Sequence, residues 1–234
     1  MKPTVLLARA TTPDGRPLTL HEHDGTVSIR IDGVELMSTR QHHSEERLAE
    51  LACGHIADEP RARVLVGGLG LGFTLRAALG RLRPDAVVTV VELVPAVVRW
   101  NADPGYGLGA DALGDPRVEL VEGDVADVLA LRRQDYDAVI LDVDNGACGL
   151  TSAGNDRLYT PAGLAAAKAA LRPGGCLAVW SATDDPAFAE RMRRAGLTVA
   201  TERARTHRGG RGGWNTLFIG RDEPAPDGRR PRGN

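Results

Sequence analysis

Glycines and carboxylates follow four apolar runs in the middle of the sequence. The run at residues 64–66 leads into a glycine-rich segment, GGLGLG, at 67–72, and a stretch with helical spacing comes next. Glu92, Asp124 and Asp142 stand at the end of, or just after, the next three apolar runs. Ligands of open α/β sheets bind outside the carboxyl ends of the strands, so these residues are expected to converge on one ligand.

The glycine-rich segment has the form of a strand-to-helix turn that holds a nucleotide. Glycine permits a tight turn and lets a ligand approach the backbone, and the helix N-terminus presents free N–H groups. Taken alone, the motif is also consistent with close packing of the helix on the strand. The predicted ligand-binding glycines are Gly67, Gly68, Gly70 and Gly72.

Two acids extend this turn to a nucleoside-binding pattern. Glu92 comes about 20 residues after the turn, where dinucleotide-type sites place an acid on ribose hydroxyls. Asp124 can accept a hydrogen bond from an adenine amino group, with Val125 among the apolar neighbours that cover the ring. The alternatives are a solvated acid for Glu92 and a helix N-cap for Asp124.

Asp142 and Asp144 are the candidate catalytic acids. They stand two residues apart where a strand becomes a loop, so both can face the cleft, and mutual repulsion can raise the pKa of one of them. Alternatively, Asp144 begins a turn and bonds its own backbone. Candidate acceptor-binding residues come from nearby loops, which can equally be structural, with Thr160 as a helix N-cap. These candidates are His43, Asn145, Asn155 and Tyr159.

The elements that position these residues alternate between strands and helices from about residue 62. Apolar runs predict strands at residues 64–67, 87–92, 118–121, 138–142, 176–181, 197–201 and 216–219, with helices near 72–82, 95–101, 125–132, 161–171 and 186–194. Continuous Val, Leu and Ile strands with crossover helices predict a parallel sheet covered on both faces. The last two strands have no long helix between them and are expected to pair antiparallel.

The amino-terminal region has a different pattern. Short β-like runs at residues 18–21, 26–31 and 34–37 alternate with Asp-Gly turn signals, which predicts a small antiparallel sheet. Such a sheet is too small to bury its own core and is expected to pack on the larger domain. The predicted organisation is a β-hairpin region at 1–43, an α/β domain at 44–220 that opens with Ser44 as a helix N-cap, and a disordered tail at 221–234.

Four segments resemble the spermidine synthase (polyamine aminopropyltransferase) family: VLVGGLGLGFTLRAAL, VVELVPAVVRWN, VELVEGDVADVL and YDAVILDVDNG. The resemblance includes the amino-terminal hairpins and covers most of residues 17–182. It implies a Rossmann-like class I methyltransferase sheet of seven strands, the last one antiparallel, with a small N-terminal antiparallel β region. It also implies S-adenosylmethionine, or its decarboxylated form, as donor, with ribose at Glu92, adenine at Asp124 and Asp142 as the base.

The sequence also departs from that family. The family's glycine-rich turn usually carries an aspartate for the donor's aminopropyl amine, and Gly70 stands at that place. The acid-rich stretch after the fourth strand is reduced to residues 142–146, and the family's tyrosine has no clear match at 41–44. Burying an unpaired ammonium costs several kcal/mol, so fewer carboxylates make a poorer polyamine pocket. We therefore predict methyl transfer to a small-molecule acceptor, with aminopropyl transfer or another displacement that releases methylthioadenosine as the alternative.

Composition narrows the remaining possibilities. A net charge of −2 gives no basic field for nucleic acid or anionic membranes, and no run approaches the roughly 20 apolar residues of a membrane span. Three separated cysteines indicate neither a zinc site nor a disulfide framework. We expect a cytoplasmic protein without a bound metal and, as a general prior, a homodimer. Two other classes stay open: an NAD-dependent oxidoreductase that uses the same glycines, and a non-catalytic nucleoside-binding protein.

Overall fold

Two sheets organise the part of the chain that the computed structural model describes, residues 3–143, 155–208 and 212–223. One is a four-stranded antiparallel sheet and the other a seven-stranded, mainly parallel sheet. Arg221, the first residue of the predicted tail, is the last residue of the final strand. Most of that tail, residues 224–234, lies outside the described residues.

The amino-terminal sheet is an antiparallel meander. Its strands are β1 (Val5–Thr11), β2 (Pro17–His23), β3 (Thr26–Ile31) and β4 (Val34–Ser38), paired in that order. Asp-Gly pairs at residues 24–25 and 32–33 form two-residue turns in which both residues have positive φ, from 50° to 81°. These are the type I′ turns that Asp-Gly favours in hairpins. The sequence pattern does not predict β1, because only residues 5–8 form an apolar run.

The larger sheet has the strand order β10-β11-β9-β8-β5-β6-β7. Neighbouring strands are parallel, except that β11 runs antiparallel to both β9 and β10. The predicted Rossmann-like sheet with a reversed last strand is confirmed. Its strands are β5 (Arg63–Gly67), β6 (Val87–Glu92), β7 (Val118–Glu122), β8 (Tyr136–Leu141), β9 (Leu171–Ser181), β10 (Thr198–Arg205) and β11 (Trp214–Arg221).

Helices connect these strands on both faces of the sheet. They are α1 (His43–Cys53), α2 (Phe73–Arg81), α3 (Pro95–Ala102), α4 (Ala110–Leu113), α5 (Val125–Ala130), α6 (Pro161–Ala170) and α7 (Pro186–Arg194). Short 3₁₀ turns lie at Gly54–Ile56, Pro104–Tyr106 and Asn155–Tyr159. Among the helices of the described residues, none is long and apolar enough to cross a membrane.

Side chains cap the starts of three of these helices, and the caps of α5 (Asp124) and α6 (Thr160) are positions that the sequence predicts. Thr160 and Asp185 accept backbone hydrogen bonds at the starts of α6 and α7. The prediction of Ser44 as the N-cap of α1 is wrong, because the helix already begins at His43. The Ser44 hydroxyl is buried and bonds other side chains instead, the Trp180 indole among them.

Two apolar clusters cover the two faces of the larger sheet. Alternate residues of its central strands divide between them, with Val64 and Ile140 in one cluster and Leu65 and Leu141 in the other. The small sheet therefore packs against the larger domain, as predicted, because the first cluster also contains its apolar residues. These include Leu18, Leu20, Ile29 and Ile31.

Candidate functional site

A cavity of about 380 Å³ opens at the carboxyl ends of β5, β6 and β8. The strand ends form one side of it, and the amino-terminal sheet forms the other. Its polar lining includes Glu92, Asp124 and Asp142, and its size and mixed lining are typical of a pocket for a small organic ligand. Its apolar lining includes Leu18, Ile29, Ile31, Val91, Val97 and Val125.

Two of the predicted glycines, Gly68 and Gly70, line this cavity. Gly68 has a φ of +89°, and a Cβ there would collide with the backbone carbonyl of Asp142. Gly70 has a φ of +52°, and a Cβ there would lie 3.0 Å from Sδ of Met37. Both positions therefore need glycine for the backbone conformation and for space.

The other two predicted glycines, Gly67 and Gly72, lie behind the cavity wall. A Cβ on Gly67 would lie 2.8 Å from Cγ2 of Val125, and one on Gly72 would lie 3.3 Å from Oδ1 of Asn101. Both glycines are closely packed, and neither lines this cavity or the second cavity beside it. Asn101, which the sequence analysis did not identify, is fully buried and donates from Nδ2 to the carbonyl of Gly70 at 2.8 Å.

Glu92 is buried at the end of β6, where backbone groups hold its carboxylate. Its Oε2 accepts from the Leu69 N–H and its Oε1 from the Val94 N–H, each at 2.8 Å. The carboxylate thus fixes the glycine turn and at the same time lines the cavity. Each carboxylate oxygen can accept more than one hydrogen bond, so the same group can also bind a ribose diol.

Asp124 lines the same cavity and caps α5. Its Oδ1 accepts from the Ala126 N–H at 2.7 Å, and its Oδ2 lies 2.6 Å from Nη2 of Arg157. Asp124 is therefore the N-cap of α5, which the sequence offered as an alternative role. Its contact with adenine stays a prediction. Val125 follows directly and contributes to the cavity wall.

A second cavity, of about 370 Å³, adjoins the first. Asp142 lies at the junction, with its carboxylate accepting from Oγ1 of Thr74 at 2.5 Å and its backbone N–H donating to the Gly67 carbonyl at 2.9 Å. The contents of the two cavities would therefore meet at Asp142. The residues that line both cavities are Leu36, Met37, Gly70 and Asp142.

The second cavity is acidic. Glu35 from β4, Glu45 from α1 and Asp142 line it, and none of the described residues that line it is Lys, Arg or His. Burial, together with the nearby charge of Asp142, raises the pKa of Glu45 to about 8. An acidic cavity of this kind favours a cationic ligand. The sequence analysis missed Glu35 and Glu45, because neither follows a strand of the larger sheet.

Two acceptor candidates lie outside both cavities. His43 is half-buried, and its Nδ1 lies 3.7 Å from Oε2 of Glu46. Tyr159 is buried, and its ring packs edge-on against Phe188 with the ring centroids 5.5 Å apart. Its hydroxyl donates to the Val143 carbonyl at 3.4 Å. Of Asn155 only the backbone is described, in a 3₁₀ turn, and Asp144 and Asn145 lie outside the described residues.

The sequence is similar to a curated polyamine aminopropyltransferase. Over 143 residues, 59% of this chain, it is 35% identical to polyamine aminopropyltransferase 1 of Streptomyces coelicolor. The matched segment is 24% of that protein, so it spans about a quarter of the relative's length. No protein-family model matches the chain.

Solved structures share the fold. Spermidine synthase from Thermotoga maritima superposes with a TM-score of 0.73 at 18% identity, covering 93% of this chain and 72% of that chain. The 1,6-didemethyltoxoflavin-N1-methyltransferase of Burkholderia thailandensis gives a TM-score of 0.52 at 22% identity, covering 78% of this chain and 80% of that chain. The resemblance to spermidine synthases that the sequence motifs predict is thus confirmed, and with it the class I methyltransferase-like fold.

Proposed function

We propose that the protein transfers an aminopropyl group from decarboxylated S-adenosylmethionine to an amine acceptor, with Asp142 as the base. The observation that carries this proposal is the acidic second cavity, which joins the first cavity at Asp142. Polyamines are cationic and need such a lining. The similarity to a polyamine aminopropyltransferase supports the same class of acceptor.

The first cavity suits the nucleoside of the donor. Glu92 is placed to accept hydrogen bonds from the ribose hydroxyls, and the apolar lining can cover the adenine ring. The donor also carries an ammonium group on its aminopropyl chain. Because position 70 has no side chain, other carboxylates among the described residues that line the two cavities must supply the counter-charge for that ammonium.

The reaction is an in-line displacement at the carbon next to the sulfonium. The new N–C bond forms as the C–S bond breaks, and the electron pair of that bond stays on sulfur in methylthioadenosine. An acceptor amine must lose a proton before it attacks, and Asp142 lies at the junction where it can take that proton. The Thr74 hydroxyl orients the Asp142 carboxylate, and the two cavities align the reacting groups.

Methyl transfer from S-adenosylmethionine, which the sequence analysis favoured, is the second candidate. That preference depended on a shortage of carboxylates near the acceptor, and Glu35 and Glu45 remove this argument. One observation still favours methyl transfer. Gly70 stands where the spermidine synthase family has an aspartate, and Sδ of Met37 lies only 3.0 Å from where the Cβ of such a side chain would be.

Assays with the two donors separate the two reactions. With decarboxylated S-adenosylmethionine and 1,4-diaminobutane, we expect equal amounts of methylthioadenosine and aminopropylated amine. Asp142→Asn should lower this turnover by about 10²–10⁴-fold, whereas Glu119→Gln, which removes an exposed acid from β7, should not change it. S-adenosylhomocysteine formed from S-adenosylmethionine, with no aminopropylated amine from the other donor, would overturn the proposal.

A further inference from the structure

Glu45 is a titratable residue of the second cavity to which the proposed reaction assigns no step. It lies in the first turn of α1, is half-buried and lines the cavity together with Asp142. Its Oε2 accepts from the hydroxyl of Ser44 at 2.5 Å, and Ser44 is 1% exposed. A buried neighbour therefore holds the Glu45 carboxyl in place at the cavity wall.

The contacts of Ser44 restrict what it can supply to Glu45. Nε1 of Trp180 donates to the Ser44 hydroxyl at 3.1 Å, and the acceptor Oδ1 of Asn215 lies 3.2 Å from the same hydroxyl. An indole N–H can only donate, and a hydroxyl has a single hydrogen. Both Glu45 and Asn215 present an acceptor oxygen, and the contact to Glu45 is the shorter one, so that hydrogen is assigned to Glu45. Ser44 thus provides one hydrogen bond to Glu45 and no positive charge.

The charges around Glu45 disfavour its ionised form. Asp142 faces it from the end of β8, Glu35 lines the same cavity from β4, and Glu46 adds negative charge from the same helix. Burial and the Asp142 charge raise the pKa of Glu45 to about 8, so it carries a proton at neutral pH. Among the basic groups near this turn of α1, His42, His43 and Arg208 contact Glu46. Arg47, on the same helix, contacts Glu50 and Glu202.

We infer that Glu45 binds an ammonium group of the acceptor and releases its own proton to solvent when that cation enters the second cavity. This inference rests on the proposed function. A neutral carboxyl and an ammonium ion become a carboxylate–ammonium pair, and one proton goes to solvent without any change at carbon. Glu45 thereby selects for cationic acceptors, because a neutral molecule of the same shape leaves the carboxyl protonated.

Calorimetry in two buffers of different ionisation enthalpy counts the protons released on binding. The titrant is 1,4-diaminobutane, added to protein saturated with methylthioadenosine at pH 7. We expect the wild type to release about one proton more per bound diamine than Glu45→Gln releases. A proton lost by the diamine itself cancels in this comparison. Glu50→Gln, on the same helix but not lining this cavity, is the matched control and should release as many protons as the wild type.

The pH dependence of turnover gives a second readout. The wild-type KM for the diamine should fall about tenfold per pH unit towards pH 8 and then level, since no proton has to leave once Glu45 is ionised. In Glu45→Gln this dependence should be absent. Its KM at pH 8 should exceed that of the wild type by about tenfold or more, with a smaller change in kcat, because a charge-assisted hydrogen bond is lost.

The outcomes distinguish this inference from the proposed function. Equal proton release by wild type and Glu45→Gln, with turnover of the diamine intact, overturns the inference alone. A wild type that neither binds nor turns over the diamine overturns both. The KM profile of the wild type needs no variant, so a profile that does not change between pH 6 and 8 also contradicts the inference, whether or not Glu45→Gln folds.

Discussion

Replacing Glu45 by Gln should stabilise the unliganded protein at alkaline pH. Gln keeps the size of the side chain and an acceptor for the Ser44 hydroxyl, but it cannot ionise. In the wild type, burial and the charge of Asp142 raise the pKa of Glu45 from its usual 4.5 to about 8. Between these pH values the folded protein keeps a proton that the unfolded chain has lost. The free energy of unfolding therefore falls as the pH rises through this window.

The size of the effect follows from the two pKa values. The pKa of Glu45 differs between the unfolded chain, at 4.5, and the folded protein, at about 8. At about 1.4 kcal/mol for each pKa unit, this difference corresponds to about 5 kcal/mol. The wild type should lose this stability relative to Glu45→Gln between pH 4.5 and pH 8, with no further change above or below. Domains of this size have free energies of unfolding of about 5–15 kcal/mol, so the loss is a large part of the total.

Urea unfolding followed by circular dichroism between pH 5 and pH 9 measures this difference. Glu50→Gln is a suitable control, because burial raises the pKa of Glu50 but Arg47 and Arg81 outweigh it and leave that pKa lowered. Glu50 therefore titrates below the measured range, and Glu50→Gln should run parallel to the wild type. If Glu45→Gln also runs parallel to the wild type from pH 5 to pH 8, Glu45 ionises normally in the folded protein and the reasoning is refuted.

Three further substitutions test the first cavity and the junction. Glu92→Ala should weaken binding of methylthioadenosine by about 1–3 kcal/mol through lost hydrogen bonds, and unchanged affinity in calorimetry would contradict its ribose role. Asp142→Asn should lower kcat by about 10²–10⁴-fold, while the Kd for methylthioadenosine stays close to that of the wild type; a normal kcat would exclude Asp142 as the base. Gly68→Ala should destabilise the protein by about 1–3 kcal/mol in urea unfolding, because its φ of +89° and the nearby Asp142 carbonyl leave no place for a Cβ; wild-type stability would show that the turn relaxes.

The choice between methyl and aminopropyl transfer shows where sequence reasoning was insufficient. The sequence motifs include only those acids that follow strands of the larger sheet. From these acids alone, the predicted acceptor pocket has few negative charges. Glu35 and Glu45 precede that sheet in the chain, and the Ser-Glu-Glu start of α1 has the pattern of an ordinary acidic first turn. Their role at the cavity depends on how the small sheet and α1 pack against the strand ends.

By itself the sequence determined the alternation of strands and helices and the edge at which Gly68, Glu92 and Asp142 lie. Apolar periodicity is local, and the carboxyl ends of parallel strands share an edge whatever the details of packing. Only the tertiary structure decided which glycines line the cavity and which pack behind it. It also decided that Glu45 faces Asp142, nearly a hundred residues further along the chain, because a contact at that separation is set by the docking of α1 on the sheet.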